Sequence, residues 1–192
     1  MKTKEWIKRQ EEVYAGKGFG ETERSIRVAE KRFGVVMPFL GIPPKYVLDI
    51  GCNDGFFTQY LQDKGYNTIG IDLPAVIKKA KKLHPQCNLI GVNLDTEGMP
   101  LKTYKDYFEV IIALEIIEHL YYDVQLLCAA AFYLKKGGVV IVTTPSSDAK
   151  LVDDHIRFYP LESLRKLLVY SGLEVIGLET MGEYNVAVGK KT

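Results

Sequence analysis

Acidic and imidazole side chains cluster at residues 115–119. Glu115, Glu118 and His119 stand at i, i+3 and i+4, so a helix that began there would present all three on one face. Such groups can orient or deprotonate a nucleophile, and histidine suits that task best near neutral pH. His155, further along, is the fourth candidate catalytic residue. The alternative is structural, with these groups favouring a helix start or forming satisfied polar contacts.

A glycine-containing turn at 51–55 is the second candidate site. It joins an apolar run to a segment of helical period, and glycine lets a ligand approach the main chain where strands of an open α/β sheet end. The dinucleotide fingerprint G-x-G-x-x-G needs glycine at 51, 53 and 56, but the chain has Asn53 and Phe56. A nucleotide-like cofactor is predicted, and a nicotinamide oxidoreductase is the weakest alternative.

Asp72 ends the next apolar run, immediately before Leu73 and Pro74. A carboxylate in that position can accept hydrogen bonds from a ribose diol. It can also cap the helix that begins near the proline, and the two roles are compatible.

The elements that position these residues alternate between β-branched apolar runs and helical patterns. This alternation predicts an α/β fold with a doubly wound, mostly parallel sheet and helices on both faces. The predicted strands are 46–50, 68–71, 88–92, 108–114 and 139–143, and the predicted helices are 56–64, 75–83, 120–134 and 161–171.

The two ends of the chain differ from this alternation. Residues 173–178 and 185–188 are strand-like with Gly182 between them, which predicts an antiparallel hairpin added at one edge. Residues 1–44 are more polar and are predicted to be a helical lead-in or lid before a domain at 45–192.

Composition excludes several classes of protein. The 192 residues carry 25 Lys+Arg against 24 Asp+Glu, too balanced for a dedicated nucleic-acid or acidic-membrane binder on bulk charge. The three cysteines have no C-x-x-C spacing, which disfavours a disulfide framework or cysteine zinc site. No signal-like or membrane-length apolar run occurs, so a soluble, cytoplasmic protein without membrane contact is expected.

Taken in order, the segments resemble the class I, seven-stranded S-adenosylmethionine-dependent methyltransferases. Asp49, Gly51 and Gly55 match the family's Asp-x-Gly-x-Gly-x-Gly motif, with Asn53 at the middle glycine. Asparagine is among the non-glycine residues that best tolerate positive φ. The segment Phe108–Glu115 and the Leu-x-x-Gly-Gly turn at 134–138 follow in the family's order.

The resemblance implies S-adenosyl-L-methionine as cofactor and the strand order 3-2-1-4-5-7-6 with the seventh strand antiparallel. Asp49 would position the turn and the methionine amino end, Asp72 would hold the ribose, and Asp95 with Leu94 would bind adenine. The cofactor-binding residues predicted on this basis are Asp49, Gly51, Cys52, Asn53, Gly55, Asp72, Leu73, Leu94, Asp95 and Leu114.

The implied activity is methyl transfer to an O, N or C nucleophile of a small-molecule acceptor, by a monomer or homodimer. Nucleic acid stays open as an acceptor. One alternative is a metal-assisted O-methyltransferase of the Glu-x-x-Glu-His type, acting on RNA 3′ ends or quinone precursors with Mg²⁺ or Mn²⁺ held by the cluster and His155. Another is a non-catalytic S-adenosylmethionine-binding module.

Arg157 lies in a His-x-Arg stretch that resembles the family's acceptor-site border. It is expected either to contact a polar or anionic acceptor or to pair on the surface with Asp153 or Asp154.

Overall fold

A seven-stranded sheet with the order β3-β2-β1-β4-β5-β7-β6 organises the chain. The computed structural model describes residues 23–43, 45–99, 102–146 and 155–192, together with Glu5 and Lys8. The strands are β1 (Tyr46–Ile50), β2 (Asn67–Asp72), β3 (Leu89–Gly91), β4 (Phe108–Leu114), β5 (Leu134–Pro145), β6 (Glu174–Met181) and β7 (Tyr184–Lys190).

Five α-helices and two 3₁₀ turns occur in the described part of the chain. The helices are α1 (Glu23–Leu40), α2 (Phe56–Asp63), α3 (Pro74–Leu83), α4 (Asp123–Tyr133) and α5 (Leu161–Tyr170), and the 3₁₀ turns are Lys102–Tyr104 and Ile117–His119. None of these helices combines the length and apolar character needed to cross a bilayer.

The predicted topology is confirmed. Strands β1 to β5 pair in parallel, whereas β7 runs antiparallel to both β5 and β6. The carboxyl ends of β1, β2, β3 and β4 therefore meet at one edge of the sheet, where open α/β folds bind ligands.

Apolar side chains cover both faces of the sheet, as expected for buried parallel strands. On one face, Leu126 of α4 and Leu164 of α5 pack against strand residues such as Ile111. On the other, Val36 of α1 and Leu61 of α2 join a second cluster. Helix α1 is thus part of the layer that buries the sheet, in the segment predicted as a lead-in. Apart from Glu5, Lys8 and 23–43, residues 1–44 lie outside the described part of the chain.

Some element boundaries differ from prediction. Helix α4 begins at Asp123 and not at 120, because the chain first forms the 3₁₀ turn Ile117–His119. The hairpin strands β6 and β7 are longer than the predicted 173–178 and 185–188. The additional residues are partly polar, and they are held in the sheet because β7 pairs with both β5 and β6. Apolar patterning along the sequence does not reveal such pairing between strands.

Gly70, in the middle of β2, is expected to tolerate no side chain. A Cβ there would lie 2.6 Å from Thr58 Oγ1 and 2.8 Å from Leu89 Cδ2. Gly70→Ala should therefore lower the unfolding free energy by about 1–3 kcal/mol in urea denaturation. The matched control is Gly34→Ala in α1, where a Cβ would meet nothing within 4 Å; it should stabilise by about 1 kcal/mol. Equal effects of the two substitutions would contradict this packing.

Candidate functional site

The turn between β1 and α2 forms the floor of a cleft at the carboxyl edge of the sheet. Gly51, Asn53 and Gly55 adopt φ values of 76°, 51° and 80°, so the asparagine occupies the left-handed conformation that the motif requires. A Cβ at Gly51 would lie 3.0 Å from Ile116 Cγ1. The turn therefore brings main chain, unshielded by side chains, to the cleft.

Asp72, at the end of β2, ties this turn in place. The Asn53 N–H donates to its Oδ2 (2.8 Å) and the Leu73 N–H to its Oδ1 (2.6 Å). Burial raises the pKa of Asp72, and the two hydrogen bonds lower it. The effect of burial is the larger one, so the pKa is raised to about 6. The predicted ribose carboxylate is thus also a structural acceptor.

Asp49 lies behind the turn and is 4% exposed. It accepts a hydrogen bond from Thr58 Oγ1 (2.7 Å), and burial raises its pKa to about 6. Cys52 and Gly55 are the buried residues of the turn itself. Of the predicted cofactor residues, Asp49, Cys52 and Gly55 do not line the cleft.

The remaining predicted cofactor residues do line the cleft, whose empty volume is about 770 Å³ including its mouth. The lining residues are Arg32, Gly51, Asn53, Asp72, Leu73, Val92, Asn93, Leu94, Asp95, Leu114, Glu115, Ile116, His119 and Leu120.

Asp95 also makes a structural contact that its sequence position did not predict. Its Oδ1 accepts the N–H groups of Tyr121 (3.1 Å) and Tyr122 (3.2 Å), just before α4. Burial raises its pKa. Because each carboxylate oxygen can accept more than one hydrogen bond, Asp95 keeps acceptor capacity toward a ligand.

The expectation that Glu115, Glu118 and His119 share one helix face is wrong. Glu115 has a φ of 55°, and the helical turn that follows is the short 3₁₀ segment Ile117–His119. Thr143 Oγ1 donates to Glu115 Oε1 (3.0 Å). The direction of the Glu115 carboxylate is therefore set by its own left-handed backbone conformation and by the hydrogen bond from Thr143 of β5. Helical spacing does not set it.

Glu118, His119 and His155 do come together. Each offers a ligand atom, and these atoms lie within 4.8 Å of one another. The imidazole rings of His119 and His155 meet edge to face with centroids 4.7 Å apart. Glu118 is 1% exposed, and His119 also lines the cleft. We call these three residues the acidic-imidazole cluster.

The cluster has the donor chemistry of a divalent cation site. One carboxylate and two imidazoles suit Mn²⁺ and, with water completing the shell, Mg²⁺. Glu115 is not among the three residues whose ligand atoms converge.

Arg157 pairs with Asp123 at 2.7 Å (Nη1 to Oδ1), a partner different from the predicted Asp153 or Asp154, which lie outside the described residues. Its Nη2 also donates to the Tyr121 carbonyl (3.3 Å). These contacts direct the guanidinium to the start of α4.

Arg32 of α1 lines the cleft but was not predicted from the sequence. The available signal was its spacing, because Arg32, Val36 and Leu40 stand four residues apart and the latter two are fully buried. A charged residue on the buried stripe of an amphipathic helix needs a partner or a ligand.

Comparisons with known proteins agree with this geometry. Residues 26–178 match the model of a protein family whose description is "Methyltransferase domain". The ubiquinone biosynthesis O-methyltransferase of Psychrobacter cryohalolentis is 28% identical over 115 residues, which cover 58% of this chain and 45% of that protein. The chain spans about half the length of the curated relatives it matches.

Two solved structures share the fold at low sequence identity. An S-adenosylmethionine-dependent methyltransferase from Archaeoglobus fulgidus aligns with a TM-score of 0.69 at 17% identity, covering 86% of this chain and 94% of that one. A methyltransferase-like protein from Bacillus halodurans aligns with a TM-score of 0.66 at 19% identity, covering 78% and 71%. With its sheet order, its glycine turn and the family match over most of its length, the chain belongs to the class I S-adenosylmethionine-dependent methyltransferases.

Proposed function

We propose that this methyltransferase transfers the methyl group of S-adenosylmethionine to a hydroxyl oxygen of a small aromatic acceptor. The observation that carries the proposal is the acidic-imidazole cluster, which lies against the cofactor cleft through His119. The named relatives that are O-methyltransferases of ubiquinone biosynthesis support an aromatic hydroxyl as the acceptor class.

The cleft offers a separate contact for each part of the cofactor. The Arg32 guanidinium binds the methionine carboxylate, and the main chain at Gly51 and Asn53 passes beneath the methionine and ribose. Asp72 accepts the ribose hydroxyls. Leu94 packs beside the adenine ring and Asp95 accepts a hydrogen bond from its amino group.

In the reaction, the acceptor oxygen attacks the sulfonium methyl in line with the breaking C–S bond. A new C–O bond forms, the C–S electron pair returns to sulfur, and S-adenosylhomocysteine is left. The hydroxyl proton passes to the neutral imidazole of His119, which Glu118 and His155 orient. The methyl donor is already activated by its positive sulfur, so alignment and exclusion of water are the protein's larger contribution.

Glu115 has a role separate from that of the acidic-imidazole cluster. It lines both the cleft and a smaller apolar pocket formed with Val35 of α1 and Tyr184 of β7. A non-glycine residue held at positive φ costs energy that the surrounding structure must offset, and such residues concentrate at functional sites. We assign Glu115 to orienting groups near the transferring methyl.

The convergence of three ligand atoms favours a second candidate, a metal-assisted form of the same reaction. Glu118, His119 and His155 would hold Mg²⁺ or Mn²⁺. The cation would lower the pKa of the acceptor hydroxyl by its charge, and the residues would otherwise act as described.

Asp72→Asn tests the ribose contact by calorimetry with S-adenosylhomocysteine. At about pH 8 the variant should bind about tenfold more weakly, because a charged acceptor is lost. Asparagine is preferable to alanine, since its carbonyl oxygen keeps one of the two N–H hydrogen bonds that Asp72 accepts from Asn53 and Leu73.

The pH dependence of binding has a defined sign. The pKa of Asp72 is raised to about 6, so wild-type affinity should fall as the pH drops through that value and the carboxylate becomes protonated. The fall should be flattened in Asp72→Asn. Asp49→Asn is the matched control, because Asp49 also has a pKa of about 6 but lies behind the turn. An unchanged pH profile in Asp72→Asn would remove Asp72 from the site.

Arg32→Met tests the methionine end of the cleft. It should weaken S-adenosylhomocysteine binding by about tenfold or more, because a charge-assisted contact is lost. Affinity for 5′-methylthioadenosine, which lacks the carboxylate, should be unchanged. Arg165→Met, on the exposed ion pair with Glu162, is the control. An equal loss for both nucleosides would contradict the assignment.

Glu118→Gln tests the cluster in an assay that measures S-adenosylhomocysteine formation with a panel of phenols and catechols. Turnover should fall about a hundredfold, while S-adenosylhomocysteine affinity stays within twofold. Glu162→Gln is the exposed control. Wild-type turnover in Glu118→Gln would refute the acceptor-side role of the cluster.

The same assay separates the two candidates. If a cation takes part, chelation should abolish turnover, Mn²⁺ should restore it, and Glu118→Gln should bind Mn²⁺ more weakly. Full turnover in the presence of the chelator would exclude the metal-assisted candidate and support the metal-free reaction.

A further inference from the structure

We infer that Asp123, Arg157 and Tyr159 form a positioning unit that holds His155 beside Glu118 and His119. The three residues would control methyl transfer without touching the cofactor or the acceptor. The inference rests on the acceptor-side role proposed above for the acidic-imidazole cluster.

The members of the cluster come from two separate segments. Glu118 and His119 belong to the 3₁₀ turn that follows β4, whereas His155 precedes α5 in a stretch, 155–160, with neither helix nor strand. Neither a sheet register nor helical spacing therefore sets the distance between the imidazoles. Hydrogen bonds and ion pairs between the two segments must do so, and a small displacement of such groups costs much of their effect.

The positioning unit supplies these contacts. Arg157 Nη1 pairs with Asp123 Oδ1 at 2.7 Å, and the Tyr159 hydroxyl donates to Asp123 Oδ2. Asp123 and Tyr159 are 8% and 5% exposed. Burial and the hydrogen bond to Asp123 raise the pKa of Tyr159, so the phenol stays protonated and remains a donor.

The main chain on either side of Arg157 is anchored as well. The Ile156 N–H donates to the Glu118 carbonyl (2.9 Å), and Asn185 Nδ2 of β7 donates to the Tyr159 carbonyl (3.0 Å). The segment that carries His155 is thus attached to the cluster at one end and to the sheet at the other, with the ion pair between.

The unit also continues into the wall of the cofactor cleft. Tyr121 accepts the Arg157 Nη2 hydrogen bond at its carbonyl (3.3 Å) and donates its N–H to Asp95. One residue therefore joins the cofactor side of the site to the segment that carries His155.

Stability alone is a weak reason for such a unit. Removing a charged pair from water costs energy that its attraction often fails to repay, and apolar replacements can be neutral or stabilising. What the unit adds is one defined direction of approach, because the two terminal nitrogens of the planar Arg157 guanidinium are held by different partners, Asp123 and the Tyr121 carbonyl.

The experiment measures ring geometry and turnover in Asp123→Asn and Arg157→Met. The chain has three histidines, so a protein labelled with ¹³C-histidine gives a simple spectrum that single His→Gln variants assign. The wild type should show a nuclear Overhauser effect between the His119 and His155 rings, whose centroids are 4.7 Å apart.

Both variants should weaken this ring-to-ring signal and lower kcat with a catechol acceptor by about 10–100-fold. Affinity for S-adenosylhomocysteine and the KM for S-adenosylmethionine should stay within twofold. A merely structural role would lower the unfolding free energy without separating kcat from cofactor binding.

Conservative variants guard against misfolding. Tyr159→Phe keeps the buried ring and removes the donor to Asp123, and Arg157→Lys keeps a charge for Asp123; both should fall between the wild type and Arg157→Met. Arg165→Met, on the exposed ion pair of α5, should change neither the signal nor kcat.

An unchanged ring-to-ring signal and an unchanged kcat in all four variants would overturn the inference. If Glu118→Gln were inactive in that case, the proposed function would still stand. Wild-type turnover in Glu118→Gln would instead refute the proposed role of the cluster. The ring-to-ring signal would even then report whether the unit positions His155.

Discussion

The hydrogen bond from the Asn53 main-chain N–H to the Asp72 carboxylate, 2.8 Å long, is the contact on which the cofactor side of the site depends. It joins the turn after β1 to the end of β2, and the Leu73 N–H occupies the other carboxylate oxygen. The left-handed residues of the turn are held against these fixed acceptors. Without them, the exposed main chain at Gly51 would have no defined distance from Asp72, the carboxylate proposed to hold the ribose.

Electrostatics in the cleft suit a ligand of mixed charge. Burial raises the pKa values of Asp49 and Asp72 to about 6, which reflects the cost of keeping carboxylates away from water. A ligand that brings a sulfonium and ribose hydroxyls would favour the ionised form of Asp72, and Arg32 provides the opposite charge at the same cleft. Binding is thus expected to be linked to proton release near neutral pH.

The acidic-imidazole cluster, which we propose as the acceptor side, is organised by a different principle. Its groups come from the 3₁₀ turn after β4 and from the segment before α5, joined by the partly buried Asp123–Arg157 pair and the Tyr159 hydroxyl. The methyl-donor pocket follows from sheet topology, whereas the acidic-imidazole cluster depends on a few polar contacts. Relatives of this fold can therefore share the donor pocket and differ in the acceptor that they methylate.

The sequence by itself determined the strand order, the carboxyl-edge cleft and the left-handed turn at Asn53. The cleft and the turn follow from local periodicity and from what glycine and asparagine can adopt, whereas the strand order was implied by the resemblance to the methyltransferase family. The approach of His155 to Glu118 and His119 was expected only in the metal-assisted alternative. Only the tertiary structure separated Glu115 from Glu118 and His119, paired Arg157 with Asp123 and placed Arg32 in the cleft. The reason is physical: backbone preferences act between near neighbours, whereas the direction of a buried charged side chain is set by partners tens of residues away.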